Sequence, residues 1–487
     1  MATKRIWRIV APFALVGLVA MIGLACGGDE EKASPTPGET TAVATSAASP
    51  SPKAAKPGDA GIPSKLRDAR GLEGLFHLDD GLAMWKTRPA NEDRTGVTDT
   101  EILLGRTAPL TGFLANYEVV WGPYLQAMID RINEAGGIHG RKIKLLIKDD
   151  ASGGPEGVQV TKELVESDKV FALFFNIGSP THNAVQQYLV QRKVPNLFYL
   201  DGSNVGMEPE TSPYDFNGQA SDILSGAGLV DAVAKVNPKA KIAVVYLDFP
   251  ASQTGLEGIK YEAKKLGMEI VGIFSHDSTQ TDLTSQAQQV VNSGADYVIY
   301  HGAAVQAYSL IKALRQNFGS NIPVAEWGAL PTGDPNTDIA LDGALTVRYQ
   351  DDPYYNTTKP IWPKLAAFGQ ETNTTYFPVA TTIAVNALEH LVRALELAGP
   401  DLTREGLLEA LNTGFTGDWT CNMCLGPTIL GPQDHWVNEH WATVQWIQAD
   451  GKWKQLGIVV TETSQGKGLR GNFPGIECKP GTCPWKE

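Results

Sequence analysis

The segment Glu101–Pro155 constrains the fold of this chain more than any other segment. The apolar run Ile102–Gly105 ends in a loop of small residues, and a second apolar run, Ile143–Ile147, ends at two aspartates. Between the runs, large apolar residues recur at spacings of three and four, which predicts an amphipathic helix that ends at Gly136-Gly137. A strand, a helix and a strand in this order predict a parallel sheet with helices on its faces. Ligands of such sheets bind at the carboxyl ends of the strands.

The same segment resembles a known protein family. It contains Pro109-Leu110-Thr111-Gly112, then the run INEAGGIHGRKI that starts at Ile132, and then a pair of aspartates. These motifs occur in the same order in the branched-chain amino-acid binding proteins, the type I extracytoplasmic solute-binding proteins of ABC importers. The resemblance implies an α/β fold of two three-layer α/β/α lobes joined by a three-strand hinge, the periplasmic binding protein type I fold. It also implies that the chain is not an enzyme and uses no cofactor.

The resemblance further implies that the lobes close on a small-molecule solute and that the closed form docks on an ABC importer permease. We expect the solute to be an amino acid, branched-chain-like, or a related amide, and the protein to be a monomer. The alternatives are a ligand sensor with the same lobes but no transporter, and an extracytoplasmic thiol oxidoreductase or hydrolase. The formal net charge of −13, from 41 basic and 54 acidic side chains, argues against nucleic acid as a partner, because that needs a basic face.

The N-terminal part predicts export and a membrane tether. Three basic residues precede an uncharged stretch that ends at Cys26, which is typical of a secretory signal. Residues 1–26 resemble a bacterial lipoprotein signal with Cys26 as the lipidation site, and ordinary signal cleavage nearby is the alternative. Residues 27–63 have almost no large apolar side chains and predict a disordered tether. We therefore expect an extracytoplasmic or periplasmic protein that contacts the membrane only through its lipid.

The rest of the chain predicts two lobes, because strand and helix patterns alternate and then start again after a Gly- and Ser-rich passage. Its length of about 420 residues also exceeds one ordinary domain. We assign 101–222 and 348–440 to lobe 1, and 223–347 and 441–465 to lobe 2. An N-terminal extension, 64–100, has no evident place, and 466–487 form a tail that contains cysteines.

Candidate ligand contacts in lobe 1 lie in loops that follow predicted strands. Gly178, Ser179 and Thr181 open a helix after one strand, where free N–H groups and hydroxyls suit a carboxylate. The alternative is that Ser179 only caps this helix. The family resemblance implies a ligand role for this loop and for Gly202 and Ser203 after the next strand, where a plain turn is the alternative.

Candidate contacts in lobe 2 combine carboxylates with aromatic side chains. Glu326 follows the predicted strand Pro323–Ala325, and the resemblance implies that its carboxylate pairs with a ligand ammonium; an exposed side chain at a strand end is the alternative. Asp248 is a weaker candidate. The resemblance implies that Tyr117 of lobe 1 covers the ligand. Phe249 and Trp327 are predicted on the opposite wall, since aromatic groups around a polar cluster make an orienting pocket.

Besides Cys26, the chain has Cys421, Cys424, Cys478 and Cys483. Outside the cytosol they are expected to form disulfides, and three connectivities are possible, one of which pairs each cysteine with its near neighbour. A zinc site and thiol redox chemistry are the alternatives. Redox chemistry is disfavoured because Leu-Gly-Pro follows Cys424, where a helix N-terminus would be needed to lower a thiol pKa. We predict no metal site.

Overall fold

The computed structural model of the protein describes the ordered body of the chain. The described residues are 75, 85–203, 209–327, 343–351, 353, 356, 358–376, 378–417, 419–438, 440–447 and 452–460. The predicted signal with Cys26, the tether 27–63 and the tail with Cys478 and Cys483 lie outside them. Among the helices that the described residues form, none combines the length and apolar character that crossing a bilayer requires.

The first sheet has five parallel strands in the order β2-β1-β3-β4-β5. Its strands are β1 Glu101–Ala108, β2 Lys142–Asp149, β3 Ala172–Phe174, β4 Asn196–Tyr199 and β5 Asp215–Asn217. The helices between them are α1 Ala115–Glu134, α2 Gly154–Lys162, which continues into a π-helical turn, and α3 Ser179–Arg192. The predicted β1-α1-β2 unit is confirmed, including its glycine stop, where Gly136 and Gly137 have φ angles of 112° and 67°.

The second sheet has seven strands in the order β12-β11-β10-β9-β8-β6-β7. Its strands are β6 Ile242–Leu247, β7 Ile270–His276, β8 Tyr297–His301, β9 Val324–Trp327, β10 Leu345–Arg348, β11 His440–Ile447 and β12 Lys452–Val460. Strands β6 to β10 are parallel, and β11 and β12 form an antiparallel hairpin. The helices are α4 Asp222–Val236, α5 Pro250–Leu266, α6 Thr284–Ser293 and α7 Ala304–Lys312.

Three further helices return to the first sheet, namely α8 Ile361–Glu371, α9 Pro378–Ala398 and α10 Arg404–Thr413. Their buried residues share one hydrophobic core with β1, β3, β4 and α1, which we call lobe 1. The second sheet with α4 to α7 is lobe 2. Within the described residues, the chain therefore passes between the lobes after β5, after β10 and before β11. The two lobes belong to one compact unit.

Part of the N-terminal extension packs on the outer side of lobe 1. Arg88 Nη1 pairs with Glu409 Oε2 of α10 at 2.7 Å, and Arg404 Nη1 pairs with Asp93 Oδ2 at 2.7 Å. Trp85 Nε1 donates to a main-chain carbonyl of α9 at 2.8 Å. Residues 85–100 thus belong to the lobe 1 body, a place that the sequence pattern did not reveal.

Candidate functional site

A cavity of about 180 Å³ lies between the two lobes. Lobe 1 contributes the loops that follow β1, β3 and β4, and lobe 2 contributes residues at the ends of β6, β8, β9 and β10. The carboxyl ends of both parallel sheets therefore face one shared space, as expected for such sheets. Its walls are largely apolar, and the aromatic members are Phe113, Tyr117, Trp121, Phe249, Trp327 and Tyr349.

Several residues predicted as ligand contacts line this cavity. They are Tyr117, Gly178, Ser179, Gly202, Phe249 and Trp327. The structure brings them together from α1, from two loops of lobe 1 and from two strand ends of lobe 2. Their contact with a ligand stays a prediction.

Ser179 differs from the helix cap that the sequence suggested. Helix α3 begins at Ser179, and Gly178, with a φ angle of 106°, takes the cap position. The Ser179 side chain is 1% exposed, and its Oγ makes no hydrogen bond within the described residues. The capping interpretation is therefore wrong, and the cavity wall holds a buried hydroxyl to which no described residue is hydrogen-bonded.

Four predicted contacts do not line the cavity. Thr181 Oγ1 donates to Gly153 O at 3.1 Å, and Ser203 donates through N and Oγ to Asp201, at 2.8 Å in both cases. Asp248 is exposed and accepts from Gln253 Nε2 of α5 at 2.7 Å. Glu326 is fully buried within β9, because this strand extends to Trp327 rather than ending at the predicted Ala325. Neighbouring side chains in a strand point to opposite faces, so Trp327 faces the cavity and Glu326 does not.

A buried charge cluster supports the lobe 1 wall. His182 Nδ1 lies 2.7 Å from Asp201 Oδ2, and Nε2 lies 3.5 Å from Asp215 Oδ1. Burial lowers the pKa of His182, but the contacts with Asp201 and Asp215 outweigh it and raise that pKa to about 9. Asp201 lines the cavity with its carboxylate already bonded to an imidazolium and to Ser203.

Asp222 is a cavity residue that the sequence reading missed. It lies in the first turn of α4 after the N-cap Ser221 and is 1% exposed. Its Oδ1 accepts from Gln219 Nε2 at 3.1 Å and Ser225 Oγ at 3.4 Å, whereas Oδ2 has no partner within the described residues. Burial, and then the charge of Asp201, raise its pKa well above the usual range. An acidic residue after an N-cap is typical of a helix start, where it interacts with the helix dipole, so the sequence carried no distinct signal of a ligand contact.

Gly202 is required at its position by the approach of Asp222. A Cβ atom on Gly202 would lie 2.1 Å from the Asp222 carboxyl carbon. Only glycine therefore lets this loop pack against the carboxyl group. This packing, rather than a turn conformation alone, explains the glycine that the sequence placed here.

The wall after β10 was also missed. Arg348, Tyr349 and Gln350 line the cavity, and Arg348 Nη1 donates to Thr346 Oγ1 at 2.9 Å. Tyr349 packs with Trp327 at a ring separation of 5.8 Å. The sequence placed this segment only as a lobe crossing, because the cavity forms where distant parts of the chain meet.

The lobes touch directly over the cavity. Tyr117 of lobe 1 stacks on Trp121 at 5.2 Å, and its hydroxyl accepts from Ala304 N of lobe 2 at 3.4 Å. Phe113 of lobe 1 packs edge-to-face on Phe249 of lobe 2 at 5.6 Å. These contacts describe a closed arrangement of the two lobes.

Cys421 and Cys424 form a disulfide, as the near-neighbour connectivity predicted for this pair. His390 lies close enough that its nitrogen and both sulfurs fall within 4.8 Å of one another. Its Nε2 bonds Thr428 Oγ1 at 2.9 Å, and the sulfurs are joined to each other rather than available as thiolates. These three groups are therefore not a zinc site in the oxidised protein.

Comparison with known sequences gives one family and several relatives. The profile of the periplasmic binding protein family matches residues 101–452. An amino acid binding protein of Pseudomonas aeruginosa is 26% identical over 221 residues, which cover 44% of this chain and 58% of that protein. A Leu/Ile/Val-binding protein homolog 7 of Brucella suis is 26% identical over 267 residues, which cover 51% of this chain and 65% of that protein. The chain thus spans less than two thirds of these relatives.

Solved structures of low sequence identity share the fold. A fatty acid ABC transporter substrate-binding protein from Thermomonospora curvata has a TM-score of 0.66 and 20% identity, covering 79% of this chain and 99% of that chain. A branched chain amino acid ABC transporter protein from Thermus thermophilus with bound valine has a TM-score of 0.66 and 17% identity, covering 75% and 98%. A solute binding protein from R. palustris in complex with 4-hydroxybenzoate has a TM-score of 0.65 and 17% identity, covering 75% and 99%. The predicted α/β fold of two lobes is confirmed.

Proposed function

Because the chain belongs to the periplasmic binding protein family, we propose that it is an extracytoplasmic solute-binding lipoprotein of an ABC importer. In this proposal the cavity between the lobes binds one small solute, and the closed form delivers it to a membrane permease. The relatives are named as binding proteins rather than enzymes, which supports binding without catalysis.

One observation carries the binding role. Ser179 Oγ is buried in the cavity wall without a hydrogen-bond partner in the described residues, and the buried Asp222 carboxyl uses only Oδ1 in its hydrogen bonds with those residues. Leaving a buried polar group unsatisfied costs about 1–3 kcal/mol. A ligand that bonds to both groups removes that cost, so closure around such a ligand is favoured over closure around an empty site.

The lining favours a solute with an apolar body and a compact polar head. The aromatic walls suit the body, Ser179 suits a carboxylate or carbonyl oxygen, and Asp222 suits an N–H or O–H donor. An amino acid or a related amide has both features. The names of the Leu/Ile/Val-binding relatives support this class, while the fatty acid and 4-hydroxybenzoate titles make acids without an amine the second class to test.

A matched ligand panel tests the proposal. The panel contains leucine, isoleucine and valine, leucinamide, 4-methylpentanoate and 4-hydroxybenzoate, screened by thermal shift and followed by calorimetry. For an ammonium ligand, whose charge favours the ionised form of Asp222 against the burial that raises its pKa, Asp222→Asn is expected to weaken binding by about tenfold or more, from a loss of roughly 1.5–3 kcal/mol for a hydrogen bond to a charged group. Ser179→Ala is expected to weaken binding about fivefold, from roughly 1 kcal/mol for one neutral hydrogen bond.

The control is Thr161→Val, which removes another buried hydroxyl that has no partner in the described residues but lies outside the cavity. Its affinity is expected to match that of the wild type. Wild-type affinity in both Ser179→Ala and Asp222→Asn would remove the cavity from the proposal.

The membrane anchor has a separate test. In bacteria grown with labelled palmitate, the wild-type chain is expected to carry the label and to sediment with membranes. Cys26→Ser is expected to lose both properties. Label retained in this variant would place the acyl chain elsewhere, and a wild-type chain without label would show that export uses an ordinary signal.

A further inference from the structure

The Cys421–Cys424 loop lies directly behind one wall of the cavity. Gln350, which lines the cavity, forms an antiparallel bridge with Cys424. The next residue, Asp351, donates its N–H to Met423 O at 2.8 Å. The main chain of the segment after β10 therefore pairs with the four-residue loop that the disulfide closes.

The other side of the loop is fixed to α9. Asn422 donates to Glu389 Oε1 through its N at 3.0 Å and its Nδ2 at 2.6 Å. Asn386 Nδ2 lies 3.3 Å from Cys421 Sγ and 3.5 Å from Cys424 Sγ. The loop thus joins the cavity wall to the longest helix among those described in lobe 1.

The cysteines are buried, at 2% and 5% exposure. The disulfide is therefore shielded from solvent, which disfavours a catalytic or exchange role. A disulfide between cysteines that are three residues apart limits the conformations that the loop between them can adopt. The conformation held here is the one in which Met423 O and the Cys424 backbone face the wall segment.

We propose that the Cys421–Cys424 disulfide is a positioning element of the cavity: it holds the loop that pairs with Gln350 and Asp351, and thereby holds the wall formed by Arg348, Tyr349 and Gln350. This segment is also one of the three crossings between the lobes. When the wall is released, fewer molecules have a formed cavity at any time, and apparent affinity falls in proportion to that fraction.

Hydrogen exchange of the ligand-free protein tests this proposal without knowledge of the solute. In Cys421→Ser/Cys424→Ser, the peptide covering residues 345–351 is expected to exchange about tenfold faster or more than in the wild type. The peptide covering β1 is expected to keep its protection. The matched control is Met128→Ala, which opens a cavity in the lobe 1 core away from the loop and is compared at an equal interval below its own melting temperature.

Two results would overturn the proposal. The first is wild-type protection of 345–351 in the folded double variant. The second is faster exchange that spreads evenly through lobe 1, as in Met128→Ala, because that pattern reports stability alone. If the double variant does not fold, Asn422→Ala is measured instead, because it keeps the disulfide but removes the side-chain hydrogen bond of the loop to α9. Residues 345–351 must then remain protected if the disulfide is the positioning element. Loss of protection in this segment would refute the proposal.

Discussion

The buried ion pair between Arg106 and Glu118 gives the sharpest test of how lobe 1 is held together. Arg106 on β1 is fully buried, and its Nη1 and Nη2 donate to the two carboxylate oxygens of Glu118 on α1 at 2.7 and 2.6 Å. Its Nε donates to Phe175 O at 2.8 Å, and the guanidinium lies 4.8 Å from the centre of the Phe175 ring. Glu118→Gln is expected to leave this guanidinium buried without its counter-charge.

The expected loss follows from that geometry. Removing one partner of a buried, bidentate pair costs about 3–5 kcal/mol, because the remaining charge is desolvated and uncompensated. For a body of about 350 residues, with an unfolding entropy of about 2.1 cal/mol/K per residue, such a loss lowers the melting temperature by roughly 4–7 °C. Replacing both residues, in Arg106→Met/Glu118→Leu, is expected to recover most of the loss, since no charge then remains buried.

Urea unfolding followed by circular dichroism measures these values. The control is Glu371→Gln, which breaks the contact of Arg131 with a carboxylate that is 39% exposed, at 2.9 Å, and is expected to cost at most about 1 kcal/mol. Equal losses in Glu118→Gln and Glu371→Gln would refute the reasoning that burial sets the magnitude. If Arg106→Met/Glu118→Leu is less stable than Glu118→Gln, the loss in Glu118→Gln does not come from an unpaired buried charge.

Four further outcomes are expected. Thr403→Ala should lower the free energy of unfolding in urea by about 1 kcal/mol, because Thr403 Oγ1 accepts from Gly406 N at 2.9 Å as the N-cap of α10. An unchanged free energy of unfolding would mean that water replaces the cap. The pKa of His182 is raised from 6.5 to about 9, so its contribution to stability is complete below about pH 6.5 and is lost as the pH rises through 9. His182→Gln should therefore flatten the alkaline part of a plot of unfolding free energy against pH. Burial lowers the pKa of His390 to about 4, so its contribution is present above pH 6.5 and is lost as the pH falls through 4. Tyr117→Phe removes the hydroxyl that accepts from Ala304 N and should increase the radius of gyration of the ligand-free protein in solution scattering; an unchanged radius would show that this contact does not hold the lobes closed.

The sequence predicted the regular parts of the fold because each depends on local patterns. The β1-α1-β2 unit has its signals close to each element, namely two apolar runs, a helical repeat between them and the glycine stop at Gly136-Gly137. Strand β5 and helix α8 were missed. Strand β5 has only three residues, Asp215–Asn217, and its polar ends resemble a loop, so its pairing with β4 is visible only once the sheet exists.

The candidate site was predicted less completely, for a physical reason. Residues at loop starts, such as Ser179 and Gly202, were found because parallel sheets place ligands at strand ends. Glu326 was misplaced because its strand is longer than its apolar run, and a shift of one residue changes the face to which a side chain points. Asp222 and Arg348 were missed because each lies beside a crossing between the lobes, where no periodic pattern marks the surface that will be covered.

The proposed binding role predicts that the crossings couple closure of the lobes to ligand recognition. Asp222 lies just after the first crossing and Arg348 just before the second, so both occupy positions that move least when one lobe rotates on the other. Tyr117 belongs to lobe 1 and Trp327 to lobe 2, so these two aromatic walls enclose a ligand together only in the closed arrangement. A ligand head bound near the crossings can therefore be held before closure, while its apolar body gains the aromatic walls afterwards. If this order is right, Asp222→Asn should slow association as well as speed dissociation in stopped-flow binding, whereas Trp327→Ala should change dissociation alone. Equal effects on association in the two variants would show that both groups meet the ligand in the same step.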